Sequence, residues 1–448
     1  MATMLVLAWG ALSFGAVYVW AYWPLAAACL VCGMSALTRR IPAPRVPSRL
    51  MAVSLVAVAT AMVLQIVPLP INLLATLSPR AGGLLSELDI LFAAGALQRR
   101  SLSIVPAATV TALVLYVALA VMMLGVARSL SANGPRRIAA LITGLGVLLA
   151  LIGIMQQPFY DGRIYGFWTP LDTGALPYGP FVNRNHCATW LLMGIPLCFG
   201  YLMARLANER APSESLRHTF DARTVWLATA GTAMVLALAW SFSRSGIAAF
   251  AVSSVVMVGA TRARLDPLRT VWVAGLALLG LAAVITLADV GAVLNRFADG
   301  IGAGRLGRLA IWRDTLPVIA DFFVTGSGIG TYQTAMLIYQ SGDRTYYYNQ
   351  AHNEILQVAS EGGLLIVLPA AIALAAFVGV AARRLKADGT GIFWIRAGAA
   401  AGLASVALQS VWETGLRVPA NALLAAVLAA ILTHQQREAM ARRPGRRP

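Results

Sequence analysis

Apolar positions in this chain come in long runs, separated by short stretches that hold nearly all of the charge. Twelve runs stand out, near residues 3–21, 23–38, 50–70, 104–127, 138–156, 182–204, 224–242, 246–261, 270–289, 361–382, 392–412 and 418–433. They do not alternate apolar and polar residues, so the short two-residue periodicity of a transmembrane barrel is absent. A helix of about 20 apolar residues spans the hydrocarbon core with every backbone group bonded internally. The pattern therefore predicts an all-α polytopic membrane protein of about twelve transmembrane helices, forming a single transmembrane domain over residues 1–448. Met1–Trp20 lacks a basic leading region and reads as the first span rather than a signal peptide. Pro196 and Pro369 fall inside spans, where neighbouring helices satisfy the freed backbone groups.

Composition agrees with the pattern: 59% of residues are hydrophobic and only 12% charged. Soluble domains carry about 25% charged residues. The net charge is +17, and Lys386 is the only lysine. Such a balance often marks nucleic-acid binders, but these arginines sit in short loops and build no basic tail, so no nucleic-acid partner is expected. Membrane lipids are the expected surroundings. Alternate loops (38–49, 128–137, 205–223, 262–269, 383–396 and the tail from 434) hold 23 of the 35 Lys+Arg and 6 of the 18 Asp+Glu. That asymmetry places these loops and both termini in the cytoplasm. The opposite face carries the longer segments, Ile71–Ser103, Gln157–Phe181 and about Val290–Ser360, the last a periplasmic loop (290–360) between the ninth and tenth spans. The chain contains no Gly-x-x-x-x-Gly-Lys-Ser/Thr phosphate loop, and the cytoplasmic loops leave no room for a nucleotide-binding domain. Chemistry is expected outside, driven by energy that arrives with the substrate.

Four outward stretches combine ionisable residues with turn formers. They are Phe181-Val-Asn183-Arg184-Asn-His186, Ser241-Phe-Ser-Arg244-Ser-Gly246, Gly304-Arg-Leu-Gly-Arg308-Leu-Ala-Ile-Trp312-Arg313-Asp314, and Gly326-Ser-Gly-Ile-Gly-Thr-Tyr332 followed by Gln350-Ala-His352-Asn353-Glu354 and Glu361-Gly-Gly. Arg244 is the sharpest signal, because a tight turn between two spans needs only small polar residues and arginine at membrane depth is costly. The plain alternative is an arginine snorkelling to lipid headgroups. Read functionally, its planar fork suits phosphate oxygens. Arg184 and Arg308 make the same demand, and three arginines repel one another unless an anion such as a diphosphate joins them. His352, at the mouth of a span, is the best outward base, since nearby arginines favour the neutral imidazole that accepts a proton. His186 reads as capping or packing, and His218 and His434 as solvated cytoplasmic residues. Glu87 and Asp89 read as a solvated helix face, the glycine run 326–330 as a flexible turn, and Cys29 and Cys32 as small apolar helix residues. Tyr346-Tyr347-Tyr348 suits sugar stacking or an interfacial aromatic belt equally. No metal-ligand set is evident, and no cofactor is expected.

Taken in order, Ser-Arg244-Ser-Gly, Gly-Arg308-x-x-x-Trp312, Gly326-x-Gly-x-Gly-x-Tyr332 and Ala-His352-Asn-x-x-Leu-Gln with Glu361-Gly-Gly resemble the O-antigen ligase and O-antigen polymerase superfamily. The match is clear over about residues 180–365. The resemblance implies a GT-C-type glycosyltransferase of the bacterial inner membrane, acting at its periplasmic face. It implies an undecaprenyl-diphosphate-linked glycan as donor and lipid A–core as acceptor. The essential arginines of the family correspond best to Arg244 and Arg308, and its essential histidine to His352. Arg184 matches an Asn-x-Asn motif less closely. Asn183, Asn353, Glu354, Tyr332, Arg313 and Arg417, the last in Glu413-Thr-Gly-Leu-Arg417-Val-Pro419, are supporting candidates. A polymerase or a protein O-oligosaccharyltransferase uses the same donor. A polyprenyl-linked glycan transporter is the alternative from another class, and it predicts midspan ionisable residues and repeated halves.

Overall fold

A computed structural model describes residues 2–39, 48–172, 174–208, 221–264, 308–342, 344 and 347–435. The run at 270–289, His218, Tyr346 and the start of the Arg308 motif lie outside the described residues. Within them, nine helices are long and apolar enough to cross a membrane, and two shorter apolar helices accompany them. The chain is a mostly helical, multi-pass membrane protein.

The chain opens with α1 (Ala2–Leu12) and α2 (Val19–Thr38), followed by α3 (Arg49–Ile66). The first two apolar runs thus divide at residues 13–18 rather than near residue 22. Phe14, Gly15 and Ala16 all have positive φ there, at 59°, 73° and 56°. Aromatic side chains hold this break: Phe14 stacks on Trp168 at 4.9 Å, and Tyr18 and Trp20 pack around them. Hydropathy counts these rings as part of an apolar run, which is why the boundary moved. After the outer segment with α4 (Ile71–Leu77), α5 (Ala81–Leu88) and α6 (Ile90–Ala93) come α7 (Pro106–Ser129), α8 (Gly134–Gln156), α9 (Arg184–Asn208), α10 (Ala222–Trp240) and α11 (Arg244–Thr261). The later helices are α12 (308–321), α13 (Tyr332–Tyr339), α14 (Glu354–Ala387), α15 (Ile392–Gln409) and α16 (Pro419–Thr433). A two-residue antiparallel ladder, β1 (Leu69–Pro70) with β2 (Arg99–Arg100), closes the first outer segment at its base.

α9 lies at the centre of the bundle and α14 at its edge. α9 and α15 cross at backbone contact, where a Cβ on Gly402 would stand 3.0 Å from Met193 Cα. The outer layer has its own core, in which Leu74, Leu85 and Leu102 pack with Phe322, Tyr332 and Met336. Two outer segments far apart in sequence therefore fold together. Asp89 is part of this layer rather than a freely solvated carboxylate: it caps α6 and pairs with Arg100 at 3.2 Å.

A glycine knot ties the layer to the bundle. α14 is broken at Gly363 (φ 54°, ψ −167°), and the 323–328 segment bonds to the exposed backbone. Ser327 N–H donates to Ser360 O at 3.0 Å, Gly328 N–H to Glu361 O at 2.9 Å and Leu364 N–H to Phe323 O at 2.8 Å. Gln65, at the end of α3, donates to Thr325 O and Glu361 O and accepts from Ile329 N–H. The 326–330 run is thus a packed knot and not a flexible turn, with φ of 67°, 108° and 87° at its three glycines. A Cβ on Gly326 would lie 2.5 Å from Gly362 C. Gly326→Ala is expected to destabilise the protein by at least about 2 kcal/mol, combining left-handed strain with overpacking. A lowered unfolding midpoint of the detergent-solubilised protein checks this.

At the opposite end, His434 is buried, contrary to the solvated reading. Its Nδ1 lies 2.8 Å from Ala127 O. Arg396 reaches across from α15, donating to Asp388 at 2.9 Å and to the His434 carbonyl at 2.6 Å. An arginine at the C-terminal end of α16 satisfies carbonyls that the helix leaves open, and this draws the end of the chain inward.

Candidate functional site

Three of the sequence motifs place their polar residue at the start of a helix, and the local chemistry explains why. Asn183 Oδ1 accepts from Asn185 N–H at 2.8 Å, so α9 begins with Arg184. Ser243 Oγ caps α11 through Gly246 N–H at 3.3 Å, following Phe242 in the left-handed region (φ 52°), and Arg244 is the first residue of that helix. Asn353 Oδ1 accepts from Ile355 and Leu356 N–H at 3.0 and 3.1 Å, capping α14 before Glu354. Arg308 stands first in the described part of α12. Asparagine and serine are favoured N-caps because their side chains satisfy amides that the first turn leaves unbonded.

These starts meet at a carboxylate that the sequence reading left out. Glu413 lies in the connection between α15 and α16, with its side chain 4% exposed. Its Oε1 accepts from Arg308 Nη2 at 2.7 Å and from Asn185 Nδ2 at 2.8 Å. Its Oε2 lies 3.8 Å from His352 Nδ1, too far for a hydrogen bond. Burial alone would raise the pKa of Glu413. The surrounding His352, Arg308 and His186 outweigh burial and hold the carboxyl below its ordinary range. The site thus keeps this buried carboxylate charged.

The network continues from Glu413 toward the other arginines. Thr189 Oγ1 is bonded to Asn185 O at 2.9 Å and to Gln409 Oε1 at 2.8 Å. Gln409 Nε2 donates to Ser245 Oγ at 3.3 Å, immediately after Arg244. Arg184 lines a cavity of about 110 Å³ with Tyr160, Tyr178, Trp240 and Phe242, the last two leading into the Arg244 turn. The structure therefore brings Arg308 and His352 to one carboxylate and sets the residues adjoining Arg184 and Arg244 in the same network.

His352 is held from both sides by its predecessor. Trp312 Nε1 donates to Ala351 O at 2.9 Å, and Ala351 N–H donates to Gln357 Oε1 at 2.9 Å. His352 itself has φ of 49°, a region that non-glycine residues enter only when their surroundings impose it. Among the described residues its Nδ1 is buried without a hydrogen-bond partner, while the side chain as a whole is 34% exposed, so the open edge lies away from Nδ1. Trp312→Phe removes one of these anchors. It is expected to destabilise by about 1 kcal/mol and to lower turnover more than substrate affinity, which steady-state kinetics beside a thermal melt resolves.

The supporting candidates separate into two groups. Arg417 bonds Glu354 at 3.2 Å and Glu361 at 2.8 Å, and Glu361 also accepts from Tyr332 N–H at 3.1 Å. Tyr332 is buried with its hydroxyl 2.7 Å from Thr315. Arg417, Glu354 and Tyr332 thus form a supporting ionic unit behind the site, beside Asn183 and Asn353 as helix caps. Arg313 is exposed, five residues and roughly 140° around α12 from Arg308, and is not carried into the cluster. Of the aromatic trio, Tyr347 is exposed and Tyr348 packs against the outer core.

Residues 229–371 match the family model described as O-antigen ligase. Over this segment the chain is similar to the O-antigen ligase family. A search among curated proteins finds no match. The ligase segment contains Arg244, Arg308, the glycine knot and His352. Arg184, Asn185, Gln409, Glu413 and Arg417 lie outside it and reach it only through folding. The similarity supports an enzyme of O-antigen ligase or polymerase type in general.

Glu413 carries a sequence signal after all. A carboxylate between two apolar runs is unfavourable unless partnered, and the sequence reading of that segment stopped at Arg417.

Proposed function

We propose that the protein is a metal- and ATP-independent ligase that moves a glycan from undecaprenyl diphosphate to the outer sugar of lipid A–core. In this reading the enzyme lies in the bacterial inner membrane with a GT-C-type fold, both termini in the cytoplasm and the site on the periplasmic face. One observation supports it: Arg308 bonds one oxygen of the buried Glu413 carboxylate at 2.7 Å and His352 Nδ1 lies 3.8 Å from the other, with Arg308 and His352 both in the segment similar to the ligase family. Arg308, Arg244 and Arg184 hold the diphosphate and stabilise the charge that grows on it as the anomeric C–O bond breaks. His352 takes the proton of the acceptor hydroxyl as its oxygen bonds to the anomeric carbon. Attack on the face opposite the diphosphate inverts that carbon, and undecaprenyl diphosphate leaves with the bonding electron pair. The donor's own diphosphate bond supplies the driving force, and the arginines supply the charge neutralisation that a metal would otherwise bring.

Donor binding tests the arginine roles. Undecaprenyl diphosphate is expected to bind the purified protein, and Arg308→Ala and Arg244→Ala are each expected to weaken it at least about tenfold, the loss of one charge-assisted phosphate contact. Unchanged affinity in both variants would remove them from the donor site.

A further inference from the structure

We propose that Glu413 is a positioning residue that exchanges partners, from Arg308 to His352, when the donor binds, so that the base becomes competent only on an occupied site. This rests on the donor and base roles assigned above. Glu413 Oε1 already serves two donors, Arg308 Nη2 at 2.7 Å and Asn185 Nδ2 at 2.8 Å. Its Oε2 lies 3.8 Å from His352 Nδ1, and that nitrogen is buried with no hydrogen-bond partner among the described residues. A buried donor with no acceptor is unfavourable, and the acceptor it lacks is within a side-chain adjustment. Arg308 restrains that adjustment by holding the carboxylate toward itself.

Arg308 is 36% exposed, so an anion can reach it. A diphosphate that takes over its guanidinium releases Glu413 from a strong charge-assisted contact. The carboxylate then keeps Asn185 on Oε1 and closes Oε2 onto His352 Nδ1. Accepting a hydrogen bond from Nδ1–H fixes the tautomer and leaves Nε2, across the ring, with the lone pair that takes the acceptor hydroxyl proton. Before donor binding the imidazole lacks this orientation. The reaction is therefore ordered, donor first, and an acceptor hydroxyl or water meeting the vacant site finds no oriented base.

The arrangement predicts a separation between donor affinity and turnover. Glu413→Gln retains the shape and can still accept from Arg308 and Asn185, but it presents an amide N–H to His352 Nδ1 and favours the wrong tautomer. Its kcat is expected to fall at least about 100-fold, the range of a lost general base. Its Kd for undecaprenyl diphosphate is expected to stay unchanged or tighten, because a neutral amide competes less with the diphosphate for Arg308. Glu413→Asp keeps the charge and shortens the reach. It is expected to recover part of the turnover with wild-type donor affinity, and it preserves the test if the glutamine variant does not fold. Weakened donor binding in step with the loss of turnover, in a folded variant, would overturn the exchange and leave Glu413 a scaffold of the donor site. Wild-type turnover in Glu413→Gln would also overturn it. Failure of the wild-type protein to bind undecaprenyl diphosphate would instead refute the donor assignment itself.

Discussion

His352→Ala is expected to lower the rate of glycan transfer by about 10²–10⁴-fold, the contribution of a positioned general base. The variant is expected to fold normally. The side chain is 34% exposed and its Nδ1 makes no hydrogen bond among the described residues, while the start of α14 is capped independently by Asn353. Alanine must keep the left-handed backbone of this position, which histidine already adopts, so backbone strain changes little. Donor affinity is expected to stay near wild type, since the proposed mechanism assigns the ring to the acceptor hydroxyl and the diphosphate to the arginines. Single-turnover transfer and donor binding, measured on the same preparation, separate these effects. Full activity in the folded variant would remove His352 as the base.

Glu361→Ala is expected to have the largest effect on stability, about 3–5 kcal/mol, the penalty for stripping one partner from a buried ion pair. Glu361 is fully buried and receives Arg417 Nη2 at 2.8 Å and Tyr332 N–H at 3.1 Å. Truncation leaves the guanidinium paired with Glu354 alone and the Tyr332 amide without its acceptor. Folding stabilities of about 5–15 kcal/mol make this a large fraction of the total. Glu361→Gln retains the acceptor for Tyr332 and is expected to lose less. Unfolding midpoints of the two variants beside wild type check the ranking, and equal midpoints would show that the ionic unit holds nothing together.

The helices were legible because bilayer length and hydropathy constrain them directly, whereas the capping roles of Asn183, Ser243 and Asn353 emerged only in the fold. The break near Phe14 was not legible, because aromatic residues that cluster at a turn read the same as aromatic residues in a span. The burial of His434 depends on Arg396, 38 residues earlier, and no local pattern reports such a distant partner. The site divides in the same way. Arg184, Arg244, Arg308 and His352 announced themselves as ionisable residues at outer helix mouths. Glu413 lies 61 residues beyond His352 and 105 beyond Arg308, so only the packing of α9, α15 and the outer layer brings the three together. The glycine run 326–330 showed that backbone freedom was needed, but its partner, the break at Gly363, was visible only in the fold.

Transfer in vitro decides whether the protein is a ligase. Purified protein is combined with undecaprenyl-diphosphate-linked glycan and lipid A–core, with a chelator present and ATP omitted. Glycan-capped lipid A–core is expected to form with the wild-type protein and to be lost in His352→Ala. Lengthening of the donor glycan without capture by lipid A–core would make the enzyme a polymerase on the same donor, contradicting the ligase assignment. Absence of both products from a folded, donor-binding protein would contradict glycan transfer itself.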